Sequence, residues 1–131
     1  MIATIQARFD CKIEDVWRAV TCVALYPEWR SDVVKVVIVD DVTFEEYDKS
    51  GFVTRFFATR QERCNFWEFD IDNANIKGRW TGQFFDENGH TRVIFTEKVE
   101  AKKFFLHPFL RGYLKRQQSK FVADLEKFLN T

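Results

Sequence analysis

Pro108-Phe109-Leu110-Arg111-Gly112-Tyr113-Leu114-Lys115-Arg116-Gln117-Gln118-Ser119-Lys120-Phe121-Val122-Ala123-Asp124-Leu125-Glu126-Lys127-Phe128-Leu129-Asn130 is the stretch on which the fold turns. Its apolar residues Leu110, Leu114, Phe121, Leu125 and Phe128 recur at helical spacing, with Gln117 filling the one missing step. Steps of four, three, four, four and three residues run down one face of an α-helix. About 22 residues at a rise of 1.5 Å give roughly 33 Å of helix. Gly112 costs about 1 kcal/mol of helix propensity, but it sits in the first turns, where packing overrides propensity. A helix this long in so short a chain must lie across a whole sheet to bury its stripe.

The residues before it supply that sheet. Residues 33–39 are almost entirely β-branched and read as a strand. Segments 43–49 and 52–59 flank Ser50-Gly51, and segments 63–72 and 76–86 flank Asn73-Ala74-Asn75, so each pair reads as a hairpin. Glu87-Asn88-Gly89 turns the chain into a last strand over 90–102. Consecutive strands joined by short turns pair antiparallel, which makes a continuous meander. At the start, residues 2–9 alternate in a period of two, as a half-buried strand does. Asp10 stands where it caps a helix whose apolar face is Ile13, Val16, Trp17 and Val20. Residues 25–30, with Pro27, form a second short helix. The chain contains no linker, repeat or low-complexity segment, so residues 1–131 read as one α+β domain.

The chain has 131 residues, with Lys+Arg 20 balanced against Asp+Glu 20. That balance argues against a globally basic nucleic-acid binder. The unusual feature is the aromatic content of 17%, dominated by 15 Phe. Such rings fill a compact core or line a hollow that they do not fill. Cys11, Cys22 and Cys64 are an odd number without a CxxC pair, which argues against a disulfide framework or a zinc ribbon. His90 and His107 lack ligand spacing, so no metal site is expected. No nucleotide-binding, Walker, HExxH or GxSxG signature appears, and no cofactor is expected. The N-terminus shows no signal-peptide pattern and no apolar run is long enough to span a membrane, which leaves the cytoplasm as the default location.

Strand, two short helices, a meander and one long helix form an order that resembles the helix-grip fold of the START-related SRPBCC superfamily, also described as polyketide cyclase/dehydrase-like. Four segments carry the resemblance. Ile13-Glu14-Asp15-Val16-Trp17 is similar to the family's opening helix. Tyr26-Pro27-Glu28-Trp29-Arg30-Ser31-Asp32-Val33 is similar to its second helix running into strand two. Gly78-Arg79-Trp80-Thr81-Gly82 and Thr91-Arg92-Val93-Ile94-Phe95-Thr96-Glu97 resemble its late strands. The resemblance implies a curved antiparallel sheet of about seven strands wrapped around the C-terminal helix, with a cavity between them. It also implies an apolar or amphipathic small molecule, lipid-like or polycyclic, as ligand. Members include enzymes, carriers and sensors.

Strand parity selects the cavity face. Trp67, Phe69 and Ile71 share one face of their strand, and Ile76, Gly78, Trp80, Gly82 and Phe84 share one face of the next. Val93, Phe95, Glu97 and Val99 are in phase, as are Phe44 and Glu46. The two glycines there permit sharp bending or leave room for a ligand. Two carboxylates, Glu46 and Glu97, therefore point into an aromatic space, where each must be paired, hydrogen-bonded or protonated. They are the candidates for a polar ligand anchor or a general acid/base; the alternatives are that each pairs structurally with an Arg or a Trp indole, or that the parity slips and they are solvated. Tyr113 and Gln117, four apart on the long helix, offer hydroxyl and amide groups to the same space. The expected ligand-binding set is Trp29, Phe44, Glu46, Trp67, Phe69, Trp80, Phe95, Glu97, Tyr113, Gln117 and Phe121. Cys64 is expected at the start of a strand, with no His near it to make it a nucleophile.

From Lys102 onward the chain carries seven Lys and Arg against two Asp and Glu. The stretch Lys102-Lys103-Phe104-Phe105-Leu106-His107-Pro108-Phe109-Leu110-Arg111 mixes bases with apolar residues. One reading is a solvated helix back, with the apolar residues docking the start of the helix onto the sheet. The other is contact with an anionic membrane surface. Three functions remain open: a binding module for an apolar small molecule, a cyclase or hydratase using the cavity carboxylates, and an interaction protein with a filled core.

Overall fold

The computed structural model describes residues 1–130; Thr131, the last residue of the expected domain, lies outside them. The meander pairs as the turns require. Strands β1 (Ile2–Phe9), β2 (Lys35–Ile38), β3 (Thr43–Tyr47), β4 (Val53–Glu62), β5 (Phe66–Asp72), β6 (Ile76–Glu87) and β7 (His90–Ala101) form one antiparallel sheet in the order β1-β7-β6-β5-β4-β3-β2. Helices α1 (Ile13–Thr21) and α2 (Tyr26–Trp29), joined by a 3-10 turn at Val23–Leu25, connect β1 to β2. Helix α3 (His107–Leu129) is unbroken for 23 residues and packs on the inner face.

The core sits between that inner face, α1 and α3. Val16, Val20, Val93, Val99 and Leu125 are completely buried. Trp17 from α1 meets Phe84 of β6 edge to face at 4.9 Å. On α3 the buried residues are Leu110, Leu114, Gln118 and Leu125, so Gln118 rather than Gln117 fills the missing step of the stripe. The four-residue step from Leu110 through Leu114 continues to 118. Its amide meets its hydrogen-bonding demand at the sheet, donating from Nε2 to the Ala3 carbonyl at 2.8 Å.

Local signals place several elements differently. Asp10 does not cap α1: Lys12 is the N-cap residue without a side-chain cap, and Asp10 Oδ1 lies 2.9 Å from His90 Nδ1. Strand β4 runs on to Glu62, and residues 63–65 form the turn into β5. Cys64 is therefore in a turn rather than a strand, with a left-handed φ of 61°. Strand β2 is shorter than the β-branched run: Val33 is buried, and Val34 and Val39, both exposed, lie just outside it.

The inner glycines leave no room for a ligand. A Cβ on Gly82 would lie 2.5 Å from the Trp80 ring, and one on Gly78 would lie 2.2 Å from the Lys98 carbonyl oxygen. Each admits a close approach within the protein itself: an indole over β6 at one, the β7 backbone at the other.

Candidate functional site

A cleft of about 450 Å³ lies between the inner face of the sheet and the side of α3. Strand parity positions its floor: Trp67 and Phe69 from β5, Trp80 from β6, and Phe95 with Glu97 from β7. Helix α3 supplies Tyr113, Gln117, Gln118 and Phe121 on the opposite side. The hairpin joining β3 to β4 and the segment after α2 close the remaining walls. The cleft exceeds the roughly 300 Å³ at which ligand sites begin, which disagrees with a filled core.

The floor is an aromatic platform. Phe69 and Trp80 stack with centroids 4.7 Å apart and planes within 5°. Trp67 meets Phe69 at 4.9 Å, Phe95 lies 5.0 Å from Trp80, and Phe121 drops edge-on to Phe95 at 5.7 Å. Rings held in such contacts lock one another's rotamers.

Two expected lining residues stand elsewhere. Trp29 does not reach the cleft. Tyr26 and Arg30, four apart on one helical face, take those positions, and Trp29 is rotated about a third of a turn away. It packs instead against Phe121 at 5.4 Å and stacks on Phe128 at 5.5 Å. Phe44 has the expected parity, but its cross-strand partner Phe56 stacks on it at 4.8 Å and forms the wall in its place. The other expected residues, Glu46, Trp67, Phe69, Trp80, Phe95, Glu97, Tyr113, Gln117 and Phe121, all border the cleft.

The two carboxylates differ in kind. Glu46 Oε2 accepts a 2.8 Å hydrogen bond from Arg30 Nη1, and Arg30 also grips Asp32 through Nε at 3.2 Å and Nη2 at 3.0 Å. The Arg30 and Glu46 side chains are only 11% and 12% exposed. Burial works against the guanidinium charge, but Glu46 and Asp32 outweigh it. The guanidinium also lies 4.8 Å from the Tyr26 ring centre and 5.1 Å from that of Phe121. Burial pushes Glu46 up from the ordinary carboxylate range, with Arg30 opposing. Glu46 is thus a structural ion-pair partner at the wall.

Glu97 has no ion-pair partner among the described residues. It lies opposite Ala3 on β1 and Trp80 on β6. Burial pushes it up to about 7, against the pull of Arg30 and of a side-chain hydrogen bond with Gln118; Glu46 adds least to the rise. The mutual repulsion expected of two carboxylates is therefore secondary to desolvation. Burial also raises the Tyr113 hydroxyl, and the nearby Glu97 adds to that effect. Two buried polar atoms on residues bordering the cleft, Trp67 Nε1 and Gln118 Oε1, have no hydrogen-bond partner.

Arg30, Tyr26 and Gln118 are the site residues that the sequence did not single out. Arg30 stands inside the Tyr26–Val33 motif, but nothing in its spacing marks it as the partner of Glu46. The described residues contain no cluster of three or more His, Cys, Asp or Glu able to hold a metal ion, and no helix is long and apolar enough to cross a membrane.

A seven-stranded antiparallel sheet gripping a long C-terminal helix defines the helix-grip fold. The chain belongs to the polyketide cyclase / dehydrase and lipid transport family, whose model matches residues 2–129. The fold is shared with a START superfamily protein from Mycobacterium smegmatis, with TM-score 0.89, 11% identity, and coverage of 98% of this chain and 97% of that one. A conserved protein from Geobacillus kaustophilus superposes with TM-score 0.86 at 10% identity, covering 99% and 95% of the two chains. DynU16, a protein in the dynemicin biosynthetic locus, matches with TM-score 0.79 at 13% identity, over 99% of this chain and 47% of its own. No curated protein matches the sequence.

Proposed function

We propose that the protein binds an apolar or amphipathic small molecule, lipid-like or polycyclic, in the cleft between the sheet and α3. The observation that carries this reading is the stacked platform of Phe69 and Trp80 flooring a space of about 450 Å³. A rigid aromatic lining beside an unfilled volume favours an apolar guest. The guest carries at least one polar group. Trp67 Nε1 is a buried donor and Gln118 Oε1 a buried acceptor without partners, and Glu97 is a carboxyl that changes charge near neutral pH. Buried polar atoms left unpaired in the free protein are those that a ligand or an ordered water satisfies. The unpaired thiols of Cys11, Cys22 and Cys64 support a reducing compartment such as the cytoplasm as the place of action.

An enzymatic second reading is favoured by the place of Glu97 in the cleft, opposite Trp80, together with the burial that raises its carboxyl. A carboxyl poised near 7 exists in both protonation states under physiological conditions, as a general acid/base requires. In that reading Glu97 moves the proton in a cyclisation or dehydration, and Glu46, committed to Arg30, does not.

Native mass spectrometry of the purified protein, followed by extraction and identification of any co-purified compound, tests the binding reading. An apolar compound at one per chain is expected. Its conversion by wild-type protein but not by Glu97→Gln selects the enzyme. Binding without conversion selects the carrier or sensor.

A further inference from the structure

The stretch joining β7 to α3 presents an aromatic prominence to solvent. Phe104 is 89% exposed, Phe105 58% and Phe109 70%. The docking of these residues onto the sheet, expected from the sequence, does not occur. Phe104 and Phe105 meet edge to face at 5.8 Å, and neither is among the described residues of the core or those packed against it. Three neighbouring phenylalanines left in water are a standing cost that a partner surface removes.

Two further features identify the partner. The first is charge. From Lys102 to Ala123 the sequence has six Lys and Arg and no Asp or Glu. Among the described residues only Lys102 of this set is ion-paired, with Asp72 at 2.5 Å, and the exposed Lys103 donates to the Asn75 amide oxygen at 3.2 Å without meeting a carboxylate. The second is position. Phe109, Tyr113 and Gln117 follow at four-residue steps on one face of α3, and the last two border the cleft. The same flank carries Arg116 and Lys120. The aromatic prominence is thus the outer end of the cleft's helical rim, and cations flank that rim.

We propose that Phe104, Phe105 and Phe109 insert into the interface of an anionic lipid bilayer, with Lys103, Arg116 and Lys120 meeting the headgroups, so that the cleft mouth faces the membrane. Rings enter the acyl boundary while basic side chains stay at headgroup level. Near such a surface each cation adds attraction that falls within a Debye length. Docking does not depend on what occupies the cleft.

Flotation of the intact protein with two kinds of vesicle tests this: phosphatidylcholine alone, and phosphatidylcholine with about a third phosphatidylglycerol. Wild type is expected to float with the anionic vesicles and to release in high salt. The triple variant Phe104→Ser, Phe105→Ser, Phe109→Ser is expected to lose at least about tenfold in partitioning. Lys103→Glu with Arg116→Glu is expected to lose a similar factor. Saturable binding of an apolar dye checks that each variant keeps its cleft; if the triple variant is misfolded, Phe104→Ser alone, at the most exposed ring, replaces it. Several results overturn the proposal: no flotation with either vesicle, flotation unchanged by loss of the rings, or a concentration-dependent dimer abolished by that loss. Vesicle binding without dye binding keeps the docking and overturns the cleft reading, and the reverse result does the opposite.

Discussion

The inner face of the sheet has two ends made from the same strands, and they differ in what covers them. At one end Phe84 of β6 and Val93 of β7 lie under α1. Trp17 meets Phe84 at 4.9 Å, and Val16, Val20 and Val93 are wholly buried. At the other end Trp80 of β6 and Phe95 of β7 have only the flank of α3 opposite them, and a cleft of about 450 Å³ remains. A few residues earlier or later along the same strands, the alternation changes from filling a core to lining a hollow. Period-two patterning thus specifies which side chains turn inward, and the helix connections decide whether they find partners there.

Breaking the packed end gives the largest expected effect. Leu125→Ala or Trp17→Ala should cost about 2–5 kcal/mol, since these side chains are almost entirely buried and the cavity left behind collapses only in part. Urea unfolding measures the loss, and dye affinity per folded molecule should stay near wild type. Unfolding curves superimposable on wild type would contradict the packed-end account.

The wall of the cleft should be next. Arg30→Met leaves Glu46 buried without its cation and should cost about 3 kcal/mol. Adding Glu46→Gln should recover most of that loss. If the double variant is no more stable than the single one, the pair is not the organising contact described here.

The cleft carboxyl should act through pH. Glu97 stands at about 7 in the folded protein against an ordinary 4.5. The folded state therefore holds the proton more tightly than the unfolded chain. The stability this confers is complete below about 4.5 and is lost as pH rises through 7, a change on the order of 3 kcal/mol. Glu97→Gln should flatten the fall over that window. Parallel stability–pH profiles for wild type and variant would show that the carboxyl is solvated.

Much of this architecture is legible in the sequence, because its signals are periodic. The α3 stripe, the inward parity of Trp67, Trp80 and Phe95, and the phase of Glu97 with Val93 and Val99 follow from spacing alone. What the sequence hides is tertiary. Nothing local shows that Asp10 serves His90 instead of α1, or that Phe56 stacks over Phe44. Only the fold shows that Arg30 is the cation for Glu46, sixteen residues away and 2.8 Å distant. Gln117 and Gln118 are the same residue type, and only the helix register against Ala3 distinguishes the buried one. The exposed rings of Phe104 and Phe105 look like core residues by type, and only the three-dimensional arrangement leaves them outside.

The most direct test of the central claim is a fluorescence titration of an environment-sensitive apolar dye into wild type, Trp80→Ala and Glu97→Gln. Wild type should saturate at one dye per chain. Trp80→Ala should weaken the affinity by roughly tenfold, as expected when one stacked aromatic wall worth about 1 kcal/mol or more is lost. Wild-type affinity should change around pH 7, where Glu97 titrates in the folded protein, and Glu97→Gln should abolish that dependence. Non-saturating uptake, or equal affinity in all three proteins with a flat pH profile, would contradict a ligand cleft floored by Trp80 and keyed by Glu97.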